Sequence, residues 1–386
     1  MTNNNLYQTR VILVRHGQST YNEQKLYQGC CDESVLTEKG KHQAFQTGIA
    51  LSKINFDAIY ISPLQRTRET AREIINATNH KAKLHINSNL KEVDLPRWQG
   101  LSYKYVRQEF STEYRIWEET PHEFTIEKIE SSGQTLIKTK TKPVLQLYDK
   151  ARQFWQEVLP RHQGKTILVV SHGGTIRALI GTSTGIKSQN YHGIQQSNSG
   201  ISILDFENNS SSSFSSASAK IVGVNLTQHL DEVLPKLKNG KHGLRLLLLP
   251  INHPENQADA DSKQIVNFLK NVELDFCLTN PIPATQSIAE SIIKSQTNPP
   301  INLQVSREDF LDIWHQTISK RSQNYHGLNT GLVIADTNTI STTLSQILGV
   351  ESRLSLQLNP GEISILFYPI SHNKPVLQAM NITGLS

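Results

Sequence analysis

The feature that most constrains the fold is a series of segments that occurs twice in the same order along the chain. The first copy begins with an apolar run at 10–14 (RVILV), and the second begins with a similar run at 245–249 (RLLLL). The later matched pairs are 57–74 with 275–292, 167–176 with 332–340, 197–204 with 358–366, and 225–227 with 381–383. Because the order is kept throughout, we interpret the pattern as a tandem duplication.

Within each copy, apolar runs typical of buried strands alternate with segments of helical spacing. The first copy has predicted strands at 10–14, 57–61 and 166–170, and predicted helices at 36–51, 64–75 and after Gly173-Gly174. Thr37 is the expected N-cap of the first long helix. Alternation of this kind predicts a mostly parallel sheet covered on both faces. We therefore expect a three-layer α/β/α sandwich, tandemly duplicated, with a degenerate second copy.

A chain of 386 residues is too long for one ordinary core and suggests two domains. We predict a catalytic domain at 1–230, a linker at 231–242 and a second domain at 243–386. The serine-rich stretch at 208–219 resembles a flexible linker in composition. However, the strand that follows it has its own counterpart near the C-terminus, so we predict a loop inside the first domain.

Several classes of partner and location are disfavoured by composition. The absence of an apolar run of 18 residues argues against a membrane span, and the polar first ten residues argue against a signal peptide. The net charge of +5 is spread along the chain, which does not indicate nucleic-acid binding. Three cysteines do not form a disulfide framework, and the adjacent Cys30-Cys31 pair is interpreted as loop residues rather than a redox sensor. We expect a cytoplasmic protein.

Candidate catalytic residues follow the predicted strands directly. His16 ends the first strand, within Arg15-His16-Gly17, and His172 follows a later strand, with Gly173 opening the next helix. In an open α/β sheet, ligands bind outside the carboxyl ends of the strands. The start of the helix also offers N–H groups and a partial positive charge that suit a phosphate.

Two further residues complete a plausible site for phosphoryl transfer. Arg66 lies in the helix after the second strand, and Glu92 follows the next predicted strand region. Arg15, Arg66 and a protonated His172 could neutralise the phosphoryl oxygens. Neutral His16 could act as nucleophile, and Glu92 could protonate the leaving oxygen. This chemistry requires no metal and no cofactor.

Other interpretations fit the sequence less well. A single Arg-His-Gly tripeptide is a weak signal, but a second histidine at another strand end and nearby arginines strengthen it. A zinc site is disfavoured because the 14 histidines include no H-x-x-x-H or Cys/His ligand spacing. A binding module without catalysis is disfavoured because both His16 and Glu92 are present.

Together these motifs resemble the histidine phosphatase (phosphoglycerate mutase-like) superfamily over residues 10–230. The segments that carry the resemblance are Arg15-His16-Gly17-Gln18-Ser19, Asn22, Asp32, Leu36-Thr37, Gly40, 62–71 (SPLQRTRETA), Leu90-Lys91-Glu92, Trp98-Gln99-Gly100, Ser171-His172-Gly173-Gly174 and 225–230. The resemblance implies that His16 is the nucleophile and Glu92 the proton donor. It also implies phosphate contacts from Arg15, Asn22, Arg66, His172 and Gly173.

The segment at about 92–140 corresponds to the lid, which determines the substrate in this superfamily. It resembles the lids of plant and cyanobacterial 2-carboxy-D-arabinitol 1-phosphate phosphatase-like proteins, which also carry a degenerate second domain. The resemblance implies a metal-independent phosphomonoesterase acting through a phosphohistidine on a small phosphorylated metabolite, such as a sugar or sugar-acid phosphate. A phosphoserine phosphatase is the alternative, and a 2,3-bisphosphoglycerate-dependent phosphoglycerate mutase is the second alternative.

The second copy lacks the residues of the proposed site. Its register places Pro250-Ile251-Asn252 at the position of Arg15-His16-Gly17, Ala284 at that of Arg66, and Asp336 at that of His172. A carboxylate in that place would repel phosphate. We therefore predict a non-catalytic domain that packs against the first as an intramolecular pseudo-dimer. An independent tethered domain and a homo-oligomer are the alternatives.

Overall fold

The computed structural model describes residues 8–78, 81–132, 135–207, 219–238, 240, 242–252, 258–280, 282–304, 314, 316, 327–350, 355–370 and 374–382. The chain divides into two compact units. The first comprises Met1–His192, Gln196–Ile221 and Gly349–Ser355, and the second comprises Gly193–Gln195, Val222–Leu348 and Leu356–Ser386.

The first unit contains seven strands, of which five belong to a mostly parallel sheet and two form a separate antiparallel hairpin. Its strands are β1 (Gln8–Arg15), β2 (Ala58–Ile61), β3 (Lys83–Ile86), β4 (Ile126–Ser132), β5 (Thr135–Thr141), β6 (Thr166–Ser171) and β7 (Ile201–Glu207). Its helices are α1 (Thr20–Gln24), α2 (Glu38–Leu51), α3 (Gln65–Thr78), α4 (Tyr103–Glu109), α5 (Ser111–Glu119), α6 (Pro143–Val158) and α7 (Gly173–Thr184). The sheet order is β3-β2-β6-β1-β7, and only the β1–β7 pair is antiparallel. Helix α2 packs against α3, and α6 packs against α7.

Local sequence explains why these elements form where they do. The inner residues of β1 and β6 are buried almost without exception, as expected of strands covered on both faces. Helix α2 begins after Thr37, whose hydroxyl accepts a hydrogen bond from the Gly40 amide at 3.0 Å, as predicted. Helix α6 begins with Pro143, where the missing N–H costs nothing. The predicted α/β class with a mostly parallel sheet is confirmed.

The second unit contains its own mostly parallel sheet. Its strands are β9 (Gly243–Ile251), β10 (Phe276–Thr279), β11 (Ile301–Gln304), β12 (Leu328–Asp336), β13 (Ile363–Pro369) and β14 (Val376–Ile382). Its helices are α8 (Ala258–Leu269), α9 (Pro283–Ser295) and α10 (Thr337–Leu348). The order β11-β10-β12-β9-β13 matches the order β3-β2-β6-β1-β7 of the first unit. This agreement supports the proposed duplication, which stays a prediction.

The predicted domain boundaries can be placed on these elements. Strand β8 (Ala219–Leu226) contains the point at which the first unit gives way to the second. Most of the predicted serine-rich loop, 208–218, lies outside the described residues. The predicted lid segment contains α4, α5 and the antiparallel hairpin of β4 and β5. In the part of the chain that the structure describes, no helix is both long and apolar enough to span a membrane.

Candidate active site

The neighbouring strands β1 and β6 bring the two predicted site histidines together. Arg15 pairs with Ser171 in the parallel register, so His16 and His172 both lie just beyond the carboxyl ends of their strands. Their ring centroids are 5.3 Å apart in an edge-to-face arrangement. Both side chains are buried, with exposed fractions of 2% and 0%. The two histidines therefore lie together at one edge of the sheet, and their roles stay predictions.

The ring of His16 has a defined tautomer. Its Nδ1 lies 2.8 Å from the carbonyl oxygen of Gly17, which can only accept a hydrogen bond. Nδ1 therefore carries the proton, and the lone pair lies on Nε2. Two contacts also fix the backbone here. The backbone amide of Gly17 donates to Thr70 Oγ1 at 3.1 Å. The side-chain Nδ2 of Asn198 donates to the carbonyls of His16 and Gly17, both at 3.1 Å. This arrangement suits a nucleophile that attacks through Nε2.

The two predicted phosphate-binding arginines are held by backbone carbonyls. Arg66 donates from Nη1 to Cys31 at 2.7 Å and from Nη2 to Gly29 at 2.9 Å, and Arg15 donates from Nη1 to Gln196 at 2.9 Å. The Nε atoms of both arginines are buried, and neither has an acceptor among the described residues. Burial lowers the pKa of Arg15 to about 10 and lowers that of Arg66, and Arg15 remains positively charged at neutral pH. An anion in the pocket would satisfy these donors.

The ring of His172 is oriented by Ser62, which the sequence analysis did not assign to the site. His172 Nε2 lies 2.8 Å from Ser62 Oγ, whereas Nδ1 is buried without a partner in the described parts of the chain. Burial, followed by the charges of Arg66, His16 and Arg15, lowers the pKa of His172 well below its usual value. His172 is therefore neutral in this pocket, and the protonated form predicted from the sequence requires the negative charge of a bound group.

The carboxylate of Glu92 lies at the start of helix α7. Its oxygens accept hydrogen bonds from the backbone amides of Gly174 at 3.1 Å, Thr175 at 3.2 Å and Val93 at 2.9 Å. Gly174 is required for this approach, since a Cβ there would collide with Glu92 Oε1 and with the Tyr191 hydroxyl.

These contacts correct one expectation about the start of the helix. Two of the amides that were predicted to suit a phosphate instead bind the proposed proton donor, because a carboxylate is already present at the helix N-terminus. Gly173 lies beside Arg15, since a Cβ at this position would be 3.3 Å from Arg15 Nε. The predicted contact between phosphate and Gly173 stays a prediction.

Asn22 lies beside the pocket, in helix α1. Its Oδ1 accepts hydrogen bonds from Ser19 Oγ at 3.1 Å and from Asn198 Nδ2 at 2.9 Å. Tyr103 lies near this side chain, and burial raises the pKa of Tyr103. With Oδ1 occupied by donors, the side-chain amide nitrogen is the group that Asn22 could offer to a phosphate. The phosphate contact that the resemblance implies for Asn22 stays a prediction.

The lid segment is built around buried Trp98. Its indole ring lies within 5.0–6.5 Å of four aromatic ring centroids, those of Tyr27, Tyr114, Trp117 and Phe124. Arg107 Nε donates to the Tyr114 hydroxyl at 3.1 Å. The lid therefore combines an apolar interior with tyrosine and arginine groups.

Ser62, Thr70 and Asn198 are the site residues that sequence reasoning did not assign. Ser62 follows β2, so the strand-end rule that selected His16 and His172 could have found it. Thr70 and Asn198 act through bonds to the backbone beside His16, and nothing in their local sequence indicates those bonds. The described residues contain no group of three or more His, Cys, Asp or Glu side chains that could hold a metal ion.

The fold and this pocket define the class of protein. The histidine phosphatase superfamily (branch 1) matches residues 11–215, and the chain belongs to this superfamily. A region of 197 residues, 51% of the chain, is 38% identical to a probable 2-carboxy-D-arabinitol-1-phosphatase of Arabidopsis thaliana. The corresponding identity to 2-carboxy-D-arabinitol-1-phosphatase of Triticum aestivum is 39% over 197 residues.

The extent of each match differs between relatives. The chain spans only 38% and 37% of the lengths of the two plant proteins. By contrast, 58% of the chain matches 95% of phosphoserine phosphatase 1 of Hydrogenobacter thermophilus, with 31% identity over 223 residues.

Proposed function

We propose that this protein is a phosphomonoesterase that works through a phosphohistidine formed on His16. The observation that carries the proposal is a set of three buried nitrogen atoms on residues near that ring. The charges of Arg15, Arg66 and His16 all act on His172, whose ring centroid lies 5.3 Å from that of His16. Arg15 Nε, Arg66 Nε and His172 Nδ1 are all buried without a partner in the described structure. Leaving a buried donor unsatisfied costs about 1–3 kcal/mol. The three oxygens of a phosphoryl group match this set in number and in charge.

The residues around the pocket support a two-step reaction. His16 Nε2 attacks phosphorus, the ester P–O bond breaks, and Glu92 in its acid form gives a proton to the leaving oxygen. Water then attacks the phosphohistidine while the Glu92 carboxylate takes a proton from it, and inorganic phosphate leaves. The amides of Gly174, Thr175 and Val93 hold the carboxyl group in position for both transfers.

The substrate that we propose is a small phosphorylated metabolite, specifically a sugar-acid phosphate such as 2-carboxy-D-arabinitol 1-phosphate. The identity of 38–39% to the two plant phosphatases supports this choice. Phosphoserine is the second candidate, because the match to a phosphoserine phosphatase covers 95% of that protein. Phosphoglycerate mutase activity is the remaining alternative, and the lid sequence argues against it.

A substrate panel tests the proposal. Phosphate release from sugar phosphates, sugar-acid phosphates and phosphoserine is measured for the full chain and for His16→Ala, with EDTA present throughout. We expect release from at least one sugar-acid phosphate, dependent on His16. Conversion of a monophosphoglycerate to its isomer, dependent on bisphosphoglycerate and without net release of phosphate, would favour the mutase instead.

A further inference from the structure

Ser62 lies at the point where β2 ends and the chain turns into α3. Its side chain is fully buried. Ser62 Oγ accepts a hydrogen bond from the Leu64 amide at 3.4 Å and lies 2.8 Å from His172 Nε2. This hydroxyl therefore contacts both the first turn of a helix and the second histidine of the pocket.

The direction of the Ser62–His172 hydrogen bond follows from the number of protons available. A hydroxyl has one proton to donate, and within the described structure His172 Nε2 is the acceptor that Ser62 reaches. If Nε2 carried the proton instead, the Ser62 hydroxyl would donate to no described group, at a cost in the fully buried setting. The arrangement is satisfied when Ser62 donates and Nε2 accepts.

We propose that Ser62 fixes His172 as the neutral tautomer with its proton on Nδ1, so that His172 donates a hydrogen bond to the phosphoryl group without becoming an imidazolium. Ser62 is a positioning residue in this proposal, since it acts through His172. The proposal rests on the proposed function for the identity of the ligand, but the tautomer itself is a property of the protein alone.

The surroundings of His172 support a neutral donor. Its ring faces Arg66, Arg15 and His16, and burial and these three groups all lower its pKa. Two guanidinium groups are already present to balance a phosphate dianion. A neutral N–H therefore adds a hydrogen bond without placing a third fixed positive charge in a buried pocket. In the described structure, Nδ1 is buried without a hydrogen-bond partner, so its proton is available to the ligand.

The decisive measurement is the nitrogen-15 NMR spectrum of the histidine rings in the full chain at pH 7.5. The signals of His172 are assigned by their loss in His172→Gln. We expect a protonated Nδ1 and an unprotonated Nε2, both in the free protein and with saturating inorganic phosphate. Protonation of Nε2 alone, protonation of both nitrogens, or an averaged mixture of tautomers would overturn the proposal.

A pair of variants separates the tautomer from general stability. Ser62→Ala removes the donor to His172. Thr67→Ala perturbs the same turn, because Thr67 Oγ1 donates to the carbonyls of Ser62 at 2.8 Å and Leu64 at 2.6 Å. We expect Ser62→Ala to weaken inhibition by inorganic phosphate by about tenfold and to mix the His172 tautomers. Thr67→Ala should keep the tautomer and change inhibition by less than about twofold.

Equal weakening in both variants, with the tautomer unchanged, would show that Ser62 serves only the turn. Phosphatase activity tests the proposed function and not the role of Ser62. A protein with the expected tautomer and no phosphatase activity would contradict the proposed function and leave the assignment of Ser62 intact.

Discussion

The guanidinium of Arg66 shows how a single residue is prepared for an anionic ligand. The side chain is fully buried, and in the described structure its hydrogen-bond acceptors are the backbone carbonyls of Cys31 and Gly29 rather than carboxylates. Two of its N–H donors thus fix the plane of the guanidinium group, and the buried Nε is left without an acceptor in the described structure. This geometry requires arginine, since a lysine ammonium cannot hold two carbonyls and a ligand in one plane.

The first prediction concerns the guanidinium group of Arg66. We expect Arg66→Lys to lower kcat/KM by about 10–100-fold, because bidentate positioning is lost while the charge is kept. The measurement is steady-state phosphate release on the best substrate of the panel. Arg68→Lys is the matched control, because Arg68 lies in the same helix with 48% of its side chain exposed. Similar losses in the two variants would contradict a specific role for Arg66.

The second prediction concerns the proton donor. We expect Glu92→Gln to lower turnover of an alkyl phosphate by roughly 10²–10⁴-fold, because general acid catalysis is lost. An aryl phosphate should lose much less, since its leaving oxygen needs little protonation. Both substrates are assayed on the same preparation, so a folding defect would affect them alike. Equal losses for the two esters would count against Glu92 as the acid.

At the scale of elements, the sequence predicted best those strands and helices whose formation is a local matter. The apolar runs of β1 and β6, and the cap of α2, depend on neighbours in sequence. The lid elements were not predicted, because α4 and α5 are short and are separated only by Phe110. The position of α5 depends on packing of Tyr114 and Trp117 against Trp98, a contact between separate elements that the local sequence does not show.

The same contrast applies to the candidate site. The strand-end rule and the motifs found His16, Arg15, Arg66, Glu92 and His172. The supporting contacts were missed because they join distant positions: Ser62 and His172 are 110 residues apart, and Asn198 and His16 are 182 apart. A single sequence contains no signal for such pairs, whereas the fold brings them together.

The third prediction concerns the N-terminus of helix α7. A methyl group at Gly174 would collide with Glu92 and Tyr191. We expect Gly174→Ala to reproduce the pattern of Glu92→Gln, with a larger loss for alkyl than for aryl phosphates, because the carboxyl group is displaced. Gly193→Ala is the control, since a Cβ there meets no atom within 4 Å. Wild-type turnover of alkyl phosphates by Gly174→Ala would contradict this account of the glycine.

At the scale of the whole molecule, contacts at the start of α9 in the second unit match contacts at the start of α3 in the first. Thr285 Oγ1 donates to the carbonyls of Asn280 at 2.8 Å and Ile282 at 2.6 Å, which matches the contacts of Thr67 at the start of α3. Pro250 pairs with Ala335 in the parallel register, as Arg15 pairs with Ser171. These matches support the proposal of a duplicated fold whose second copy has lost its catalytic residues.

Asp336 lies at the position that the proposed duplication assigns to His172. It precedes α10 as His172 precedes α7, but its carboxylate accepts from the Thr339 amide at 3.0 Å and the Thr339 hydroxyl at 2.6 Å. Asp336 therefore acts as the N-cap of its helix.

The fourth prediction follows from this capping role. We expect Asp336→Ala to lower the free energy of unfolding by about 1 kcal/mol and to leave kcat/KM within about twofold of wild type. Thermal denaturation and phosphate release are measured on the same sample. A tenfold fall in kcat/KM of the folded variant would mean that the second unit takes part in the reaction.

The covalent intermediate on His16 is the central claim, and trapping it is the most direct test. The full chain is mixed with a phosphorylated substrate, quenched in alkali within the first turnovers, and analysed by peptide mass spectrometry. We expect one phosphoryl group on His16, stable in alkali and lost in acid, and no phosphorylated peptide from a folded His16→Ala protein. Phosphate release by His16→Ala at a near wild-type rate, or a phosphoryl group on another residue of the wild type, would contradict the account.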